Sequence, residues 1–153
     1  MKHSIKLFTA FATAAAAASV AAAFALAGAT QTGGAKVAIA PSRLGRILVD
    51  SRGMTLYDFA KDKSTASTCY GACAALWPPL TTKGRPVAGR GVRASLLGTT
   101  KRKDGKLEVT YNGHPLYYFV TDRKPGQTTG QGVNQFGAPW WVLSAAGKEI
   151  HRG

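Results

Sequence analysis

The hydrophobic positions divide the chain into one uninterrupted apolar segment and a longer stretch of short runs. From Leu7 to Leu26 nearly every residue is Ala, Phe, Val or Leu, and Lys2 and Lys6 precede this segment. A positive start, an apolar centre and a small-x-small ending, here Ala27-Gly28-Ala29, are typical of a secretory signal peptide. We therefore predict cleavage after Ala29, with Ala27 as the alternative, and export to the periplasm or the exterior.

The competing interpretation of this segment is a membrane anchor, since a helix needs ~20 apolar residues to span a bilayer. The segment is mostly Ala, which is weakly apolar, and no charged stop-transfer cluster follows it directly. Processing is therefore favoured, and no transmembrane anchor is expected in the mature chain. The cleavage region also has no Cys to which a lipid could be attached.

Beyond Ala29 the apolar residues show the period of two that is typical of β-strands. Leu56 faces one side of its predicted strand, while Tyr57 and Phe59 face the other. Turn residues separate the runs, and Asn-Gly between apolar runs is a strong hairpin signal. The pattern predicts two hairpins: Arg46–Asp50 with Met54–Ala60 around Ser51-Arg52-Gly53, and Lys106–Tyr111 with Pro115–Val120 around Asn112-Gly113-His114.

Other turn signals predict the remaining elements. The further predicted strands are Lys36–Ala40, Gly98–Lys103 paired with Lys106–Tyr111 around Asp104-Gly105, and Trp140–Ser144 paired with Lys148–Ile150 around Gly147. Only Tyr70–Leu76 and Val92–Leu97 have room for a short helix, the first ending at Trp77-Pro78-Pro79. The predicted fold is all-β, a small antiparallel domain with one or two short helices.

The chain contains an internal repeat at an offset of 60 residues. Gly45, Val49, Gly53, Leu56, Tyr57, Phe59 and Asp62 coincide with Gly105, Val109, Gly113, Leu116, Tyr117, Phe119 and Asp122; three residues of insertion later, Trp77 and Leu80 coincide with Trp140 and Leu143. We predict a signal peptide (1–29), a lead-in (30–44), repeat 1 (45–82), a basic connector (83–104), repeat 2 (105–147) and a C-terminal tail (148–153). The two hairpin-based repeats are expected to form one domain, closed about a pseudo-twofold axis.

These motifs resemble a known family. Its first half is Gly53-x-Thr55-Leu56-Tyr57-x-Phe59-x-x-Asp62, Cys69-x-x-x-Cys73 and Trp77-Pro78-Pro79; its second is Arg102-x-Asp104-Gly105, Thr110-Tyr111-Asn112-Gly113-x-Pro115-Leu116-Tyr117-x-Phe119-x-x-Asp122 and Phe136-Gly137-x-x-Trp140. Together they closely resemble the bacterial "secreted repeat of unknown function" family, also described as predicted lipoproteins with a Tyr-x-aromatic-x-x-Asp motif. The resemblance covers about residues 45–147 and implies an envelope location and a tandem repeat, but no reaction. The chain departs from many relatives in lacking a lipidated Cys.

The positive net charge of the chain indicates the kind of partner it would bind. The full chain has a net charge of +13, and removing Lys2 and Lys6 leaves +11 on 124 residues. The segment Lys83–Lys106 carries eight cations against Asp104 alone, which fits either a solvated loop or a face that contacts anions. The candidate anion-binding residues are Arg85, Arg90, Arg93, Lys101, Arg102 and Lys103. The expected partner is an anionic envelope component, a lipid head group or a polysaccharide, without specific recognition of nucleic acid.

Cys69 and Cys73 are exported to an oxidising compartment, where their four-residue spacing permits a local disulfide. The alternative is a copper or redox centre, since copper(I) favours thiolate, thioether and imidazole ligands. Met54 and His114 occupy corresponding turns of the two repeats and would complete that centre. We favour the disulfide and expect no cofactor, with copper as the alternative.

The twin Tyr-x-Phe-x-x-Asp motifs also have two interpretations. Tyr57, Phe59 and Asp62, with Tyr117, Phe119 and Asp122, would form core packing followed by an Asp-stabilised turn. Alternatively, the two carboxylates would form a pseudo-symmetric ligand or cation site. We favour the core.

Catalytic signals are weak, and no catalytic residue is predicted. The sequence has no Gly-x-Ser-x-Gly nucleophile motif and only seven acidic residues. The Trp residues would serve the core or a carbohydrate- or peptide-binding platform. We predict a non-catalytic envelope module, with a periplasmic copper or redox protein as the alternative and a hydrolase as the third class. The sequence does not indicate an oligomeric state.

Overall fold

A computed structural model describes residues 33–153, so the predicted signal peptide lies outside the described residues. The fold is all-β, as predicted, with one α-helix and one 3-10 helix in this part of the chain. The elements are β1 (Lys36–Ser42), β2 (Gly45–Asp50), β3 (Tyr57–Phe59), α1 (Ala72–Leu76), β4 (Thr81–Thr82), β5 (Val87–Ala88), a 3-10 helix (Ala94–Leu96), β6 (Leu97–Lys101), β7 (Leu107–Tyr111), β8 (His114–Pro115), β9 (Asn134–Gln135) and β10 (Ala138–Val142).

The strands form three small sheets. Their orders are β2-β1-β5, β3-β10-β9 and β4-β7-β6, with β8 also paired to β7. All of these pairs are antiparallel except β1 with β5. None of the helices within residues 33–153 is long and apolar enough to cross a membrane.

The predicted helices are shorter in the structure than in the sequence pattern. The first begins at Ala72, because the preceding Gly71 has a φ of 56°, a left-handed conformation that does not belong to a right-handed helix. The second is reduced to the single 3-10 turn Ala94–Leu96.

Each repeat contains a tight turn after which the returning strand soon leaves its partner. Gly53 and Gly113 occupy equivalent turn positions with the same φ of 81°, a conformation that favours glycine. After the first turn Thr55 pairs with β2, but β3 then pairs with β10. The predicted partner of Met54–Ala60 is therefore correct only near the turn. The β6–β7 hairpin has the predicted partners, with Leu97 opposite Tyr111 and Lys101 opposite Leu107.

The repeats meet at equivalent tyrosines. The N–H of Tyr57 donates to the carbonyl of Tyr117 at 2.8 Å, and the N–H of Tyr117 donates to the carbonyl of Tyr57 at 2.8 Å. Reciprocal contacts between equivalent positions are what a twofold axis produces. The backbone thus joins the repeats across an approximate internal twofold axis.

The aromatic core has the same symmetry. Phe59, Trp140, Trp77 and Phe119 form a continuous stack in that order, with ring centroids 4.1, 4.0 and 4.1 Å apart. Tyr57 meets Trp77 edge-on at 5.4 Å, and Tyr117 meets Trp140 edge-on at 5.1 Å. Stacked and edge-on pairs of buried aromatics add to the stabilisation that burial alone provides. Five of these six rings are buried in the core, and Phe119 is half-buried at its edge.

Candidate functional site

The twin motifs are joined by hydrogen bonds that cross from one repeat to the other. The Tyr57 hydroxyl donates to Asp122 Oδ2 at 2.7 Å, and the Tyr117 hydroxyl donates to Asp62 Oδ2 at 2.5 Å. Burial, followed by nearby carboxylates, raises the pKa of both tyrosines, so each phenol stays protonated as a donor. Each motif therefore supplies a ring to the core and a carboxylate to the other repeat.

The remaining oxygens of these carboxylates are also occupied. Asp62 Oδ1 accepts from the N–H and hydroxyl of Thr68, at 2.8 and 2.6 Å. Asp122 Oδ1 accepts from the N–H and hydroxyl of Thr129, at 2.9 and 2.6 Å. Carboxylates filled by internal donors fix the loops that follow the strands. The arrangement links the symmetric core to these loops.

Cys69 and Cys73 form a disulfide, with a Cα–Cα distance of 5.2 Å. Both residues are buried; Cys73 lies within α1 and Cys69 lies just before it. A sulfur in a disulfide is not a thiolate, the form in which Cys binds metals. His114, the imidazole expected at the copper centre, contacts Asp58 instead, and Met54 lies in the turn after β2, where its carbonyl accepts from the Asp50 N–H.

Arg102 differs from the other candidate anion-binding residues. Its side chain is 1% exposed and its Nη1 donates to Glu108 Oε2 at 2.6 Å. It also donates to Ser67 Oγ at 2.9 Å and to the Cys69 carbonyl at 2.7 Å, and its guanidinium lies over the Tyr70 ring. Burial raises the pKa of Glu108 to about 7 against the opposing effect of Arg102. The position of Arg102 in a basic segment suggested a surface residue, but the structure places it in an internal ion pair.

Charge is strongly segregated between the interior and the surface. Of the eighteen Lys and Arg residues within 33–153, seventeen are exposed and only Arg102 is buried. Asp104 is the only exposed acid of the seven in the same range; Asp50, Asp58, Glu108 and Asp122 are buried, and Asp62 and Glu149 are half-buried. The surface is therefore more one-sidedly positive than the net charge alone indicates.

Three exposed arginines from distant parts of the sequence line one shallow groove of about 750 Å³, together with Glu149 and His151. They are Arg46 of β2, Arg93 before the 3-10 helix, and Arg152 near the C-terminus. The guanidinium of Arg152 donates to the Leu44 carbonyl at 3.0 and 3.3 Å, which orients the side chain. We call this the arginine groove. Sequence analysis identified Arg93 but missed Arg46 and Arg152, because they lie outside the basic segment.

The other cations of the basic segment lie on the surface. Arg85 lines a depression of about 270 Å³, and Lys83 and Lys106 line a cleft of about 660 Å³. Arg90, Lys101 and Lys103 are exposed. The segment thus contributes to several concave surfaces rather than to a single one.

A second polar cluster involves residues that sequence analysis did not combine. His114 Nδ1 lies 2.8 Å from Asp58 Oδ2, and Glu149 brings a second carboxylate to the same place. Burial raises the pKa of Asp58 to about 6 despite the hydrogen bond with His114, and the charge of Glu149 adds to this increase. The hydrogen bond to Asp58 raises the pKa of His114 although burial opposes it. We call these three residues the acid–histidine cluster.

The fold and surface define a tandem-repeat β domain with a symmetric aromatic core and a cationic exterior. Residues 38–81 and 98–144 each match the family described as a secreted repeat of unknown function. The chain belongs to this family. No curated protein and no solved structure matches the chain.

Proposed function

We propose that the protein is an exported, non-catalytic module of the cell envelope that binds an anionic polysaccharide. The observation that carries this proposal is the segregation of charge, with seventeen exposed cations and one exposed acid in residues 33–153. Such a surface attracts polyanions over long distances and holds them by many exchangeable contacts. The family's description as secreted agrees with a partner outside the cytoplasm.

The shape of the cationic surface favours a chain-like partner over a flat one. Arg46, Arg93 and Arg152 line one shallow groove, and a flexible polymer can bend to bring its sulfate or carboxylate groups to all three. Guanidinium groups suit these anions because their planar donor sets form paired hydrogen bonds with carboxylate and sulfate-like oxygens. We infer that the arginine groove is the strongest single contact and that the remaining cations add affinity.

The interior supports a binding role rather than catalysis. The carboxylates of Asp62 and Asp122 are held by tyrosine and threonine donors, and Glu108 is paired with Arg102. These groups stabilise the fold, and the sulfurs of Cys69 and Cys73 are joined to each other. The proposal therefore assigns no reaction to the module.

The experiment measures the affinity of the mature chain for heparin, a sulfated polysaccharide, by isothermal titration calorimetry, with neutral dextran as the negative control. Arg46→Ala/Arg93→Ala should weaken binding about tenfold, since each exposed ionic contact contributes up to ~1 kcal/mol. Arg123→Ala/Lys124→Ala is the matched control, because it removes two exposed cations outside the groove. The control should change affinity no more than about twofold by the loss of general charge alone.

Three results would contradict the proposal. If heparin does not bind, the polysaccharide assignment is wrong. Equal losses in the two double variants would show that the arginine groove has no special role. Binding to vesicles of anionic lipid without binding to heparin would assign the surface to the membrane instead.

A further inference from the structure

We propose that Asp58, His114 and Glu149 form a binding site for a divalent transition-metal ion of the zinc class. The three residues lie far apart in the sequence, on β3, on β8 and on the segment after β10. The fold brings one potential ligand atom from each to within 4.8 Å of the others. Glu149 also lines the arginine groove, so zinc binding is tested without polysaccharide.

The local topology explains why these residues meet. Asp58 lies between Tyr57 and Phe59 on β3, so its side chain leaves the strand on the face opposite to the aromatic core. Asp58 is only 2% exposed there. The backbone of Glu149 pairs with that of Leu143, which follows β10, and this holds Glu149 near the same face. The cluster is thus built by strands rather than by one loop.

The buried carboxylate of Asp58 is only partly satisfied by the protein. Its Oδ2 contacts His114 Nδ1, but its Oδ1 is fully buried and has no hydrogen-bond donor among the described residues. Buried polar atoms in proteins nearly always have a partner, and an unpaired one calls for an explanation such as an ion. Glu149 brings a second carboxylate oxygen within 4.8 Å of the Asp58 and His114 ligand atoms. A cation between these groups would satisfy both carboxylates.

The distances suit adjacent ligands of one ion. His114 Nδ1 and Asp58 Oδ2 are 2.8 Å apart. Zinc–nitrogen and zinc–oxygen bonds of ~2.0–2.1 Å in tetrahedral geometry would place two such atoms ~3.3 Å apart, so the pair would separate by roughly 0.5 Å on binding. Binding at Nδ1 would require the ion to replace any proton that the imidazole shares with Asp58. The pair can therefore serve as ligands with little movement.

The ligand types indicate the class of metal. One imidazole with two carboxylates suits zinc and its neighbours, whereas magnesium and calcium prefer oxygen ligands only. This set also differs from the thiolate-based copper centre considered from the sequence. His114 is 30% exposed and lines a pocket of about 290 Å³, which gives an ion a route to the cluster.

His151 supports the arrangement from outside. Its Nε2 lies 2.5 Å from Glu149 Oε2, and its ring packs 4.6 Å from the Trp141 ring. A hydrogen bond to a ligating carboxylate orients it and tunes its affinity. We expect His151 to position Glu149 rather than to contact the ion.

The test is isothermal titration calorimetry of zinc into the metal-free mature chain, with the disulfide intact and near neutral pH. One ion per chain should bind, and His114→Gln and Glu149→Gln should each weaken binding by at least about tenfold, since even supporting residues of metal sites contribute 10–100-fold. Asp104→Asn removes the only exposed carboxylate of the described residues and should leave zinc affinity unchanged. Magnesium should not compete with zinc.

Circular dichroism of each variant checks that it is folded, and if one variant unfolds, the other decides the test. The proposal is wrong if zinc does not bind or if both folded variants bind zinc like the parent. It is also wrong if Asp104→Asn loses as much affinity as the cluster variants, because the zinc would then bind carboxylates indiscriminately.

Discussion

Replacing Tyr57 by Phe tests the crossed hydrogen bonds that join the two repeats. The change keeps the ring in its edge-on contact with Trp77 and removes only the hydroxyl. That hydroxyl donates to the buried Asp122 and accepts from the N–H of Gly130 at 3.2 Å. The variant therefore leaves Asp122 without one donor and the Gly130 N–H without its acceptor.

The size of the effect follows from these two losses. Hydrogen bonds to charged groups contribute ~1.5–3 kcal/mol, so we expect a loss of about 2–3 kcal/mol in the free energy of unfolding. For a domain of this size that corresponds to a fall of roughly 8–12 °C in melting temperature. Tyr117→Phe should cost a similar amount, because the Tyr117 hydroxyl contacts both Asp62 Oδ2 and the buried Ser67 Oγ, the latter at 2.6 Å.

The assay is urea unfolding followed by tryptophan fluorescence, under non-reducing conditions near neutral pH. Tyr70→Phe is the matched control, since its hydroxyl bonds only the exposed N–H of Lys103, and it should cost less than about 0.5 kcal/mol. A double-mutant cycle of Tyr57→Phe with Asp122→Asn should give a coupling energy of at least about 1 kcal/mol. A cost for Tyr57→Phe no larger than that of the control, or a coupling near zero, would refute the reasoning.

Two further changes test the buried charges. Arg102→Met should destabilise the chain by about 3 kcal/mol near neutral pH, because it leaves Glu108 unpaired. Adding Glu108→Gln should recover part of that loss in urea titrations, and no recovery would contradict the ion pair. Burial alone would raise the pKa of Asp50, but hydrogen bonds from Met54 and Arg52 lower it overall. The stability that Asp50 contributes is therefore present above its ordinary pKa and is lost as the pH falls through the pKa of the folded state. Asp50→Asn should therefore be less stable than the parent near neutral pH and equally stable in strong acid, as measured by thermal unfolding at both pH values; an equal deficit at both would contradict this.

The core could be predicted from sequence because its signals are local. The period of two at Leu56, Tyr57 and Phe59, repeated 60 residues later, predicts strands and buried rings directly. The crossed pairing of Tyr57 with Asp122 could not be predicted, since a repeat shows which positions are equivalent but not which copy each one contacts. The departure of β3 from β2 to β10 was missed for the same reason.

The errors among charged residues have a different physical origin. Arg102 lies in a run of exposed cations, and only the β6–β7 pairing brings it to Glu108. Strand alternation places Asp58 on the face opposite Tyr57 and Phe59, but it does not show that distant segments carrying His114 and Glu149 meet it there. Burial of a polar residue depends on the element that covers it, and the local pattern does not contain that information.

The most direct test of the proposed function is the salt dependence of heparin binding by the mature parent chain. If the exposed cations hold the polymer, the logarithm of the association constant should fall linearly with the logarithm of salt concentration. We predict a slope of about −2 or steeper, since each neutralised anion on a flexible single chain contributes roughly −0.7. A slope near zero, or no binding at low salt, would contradict the account.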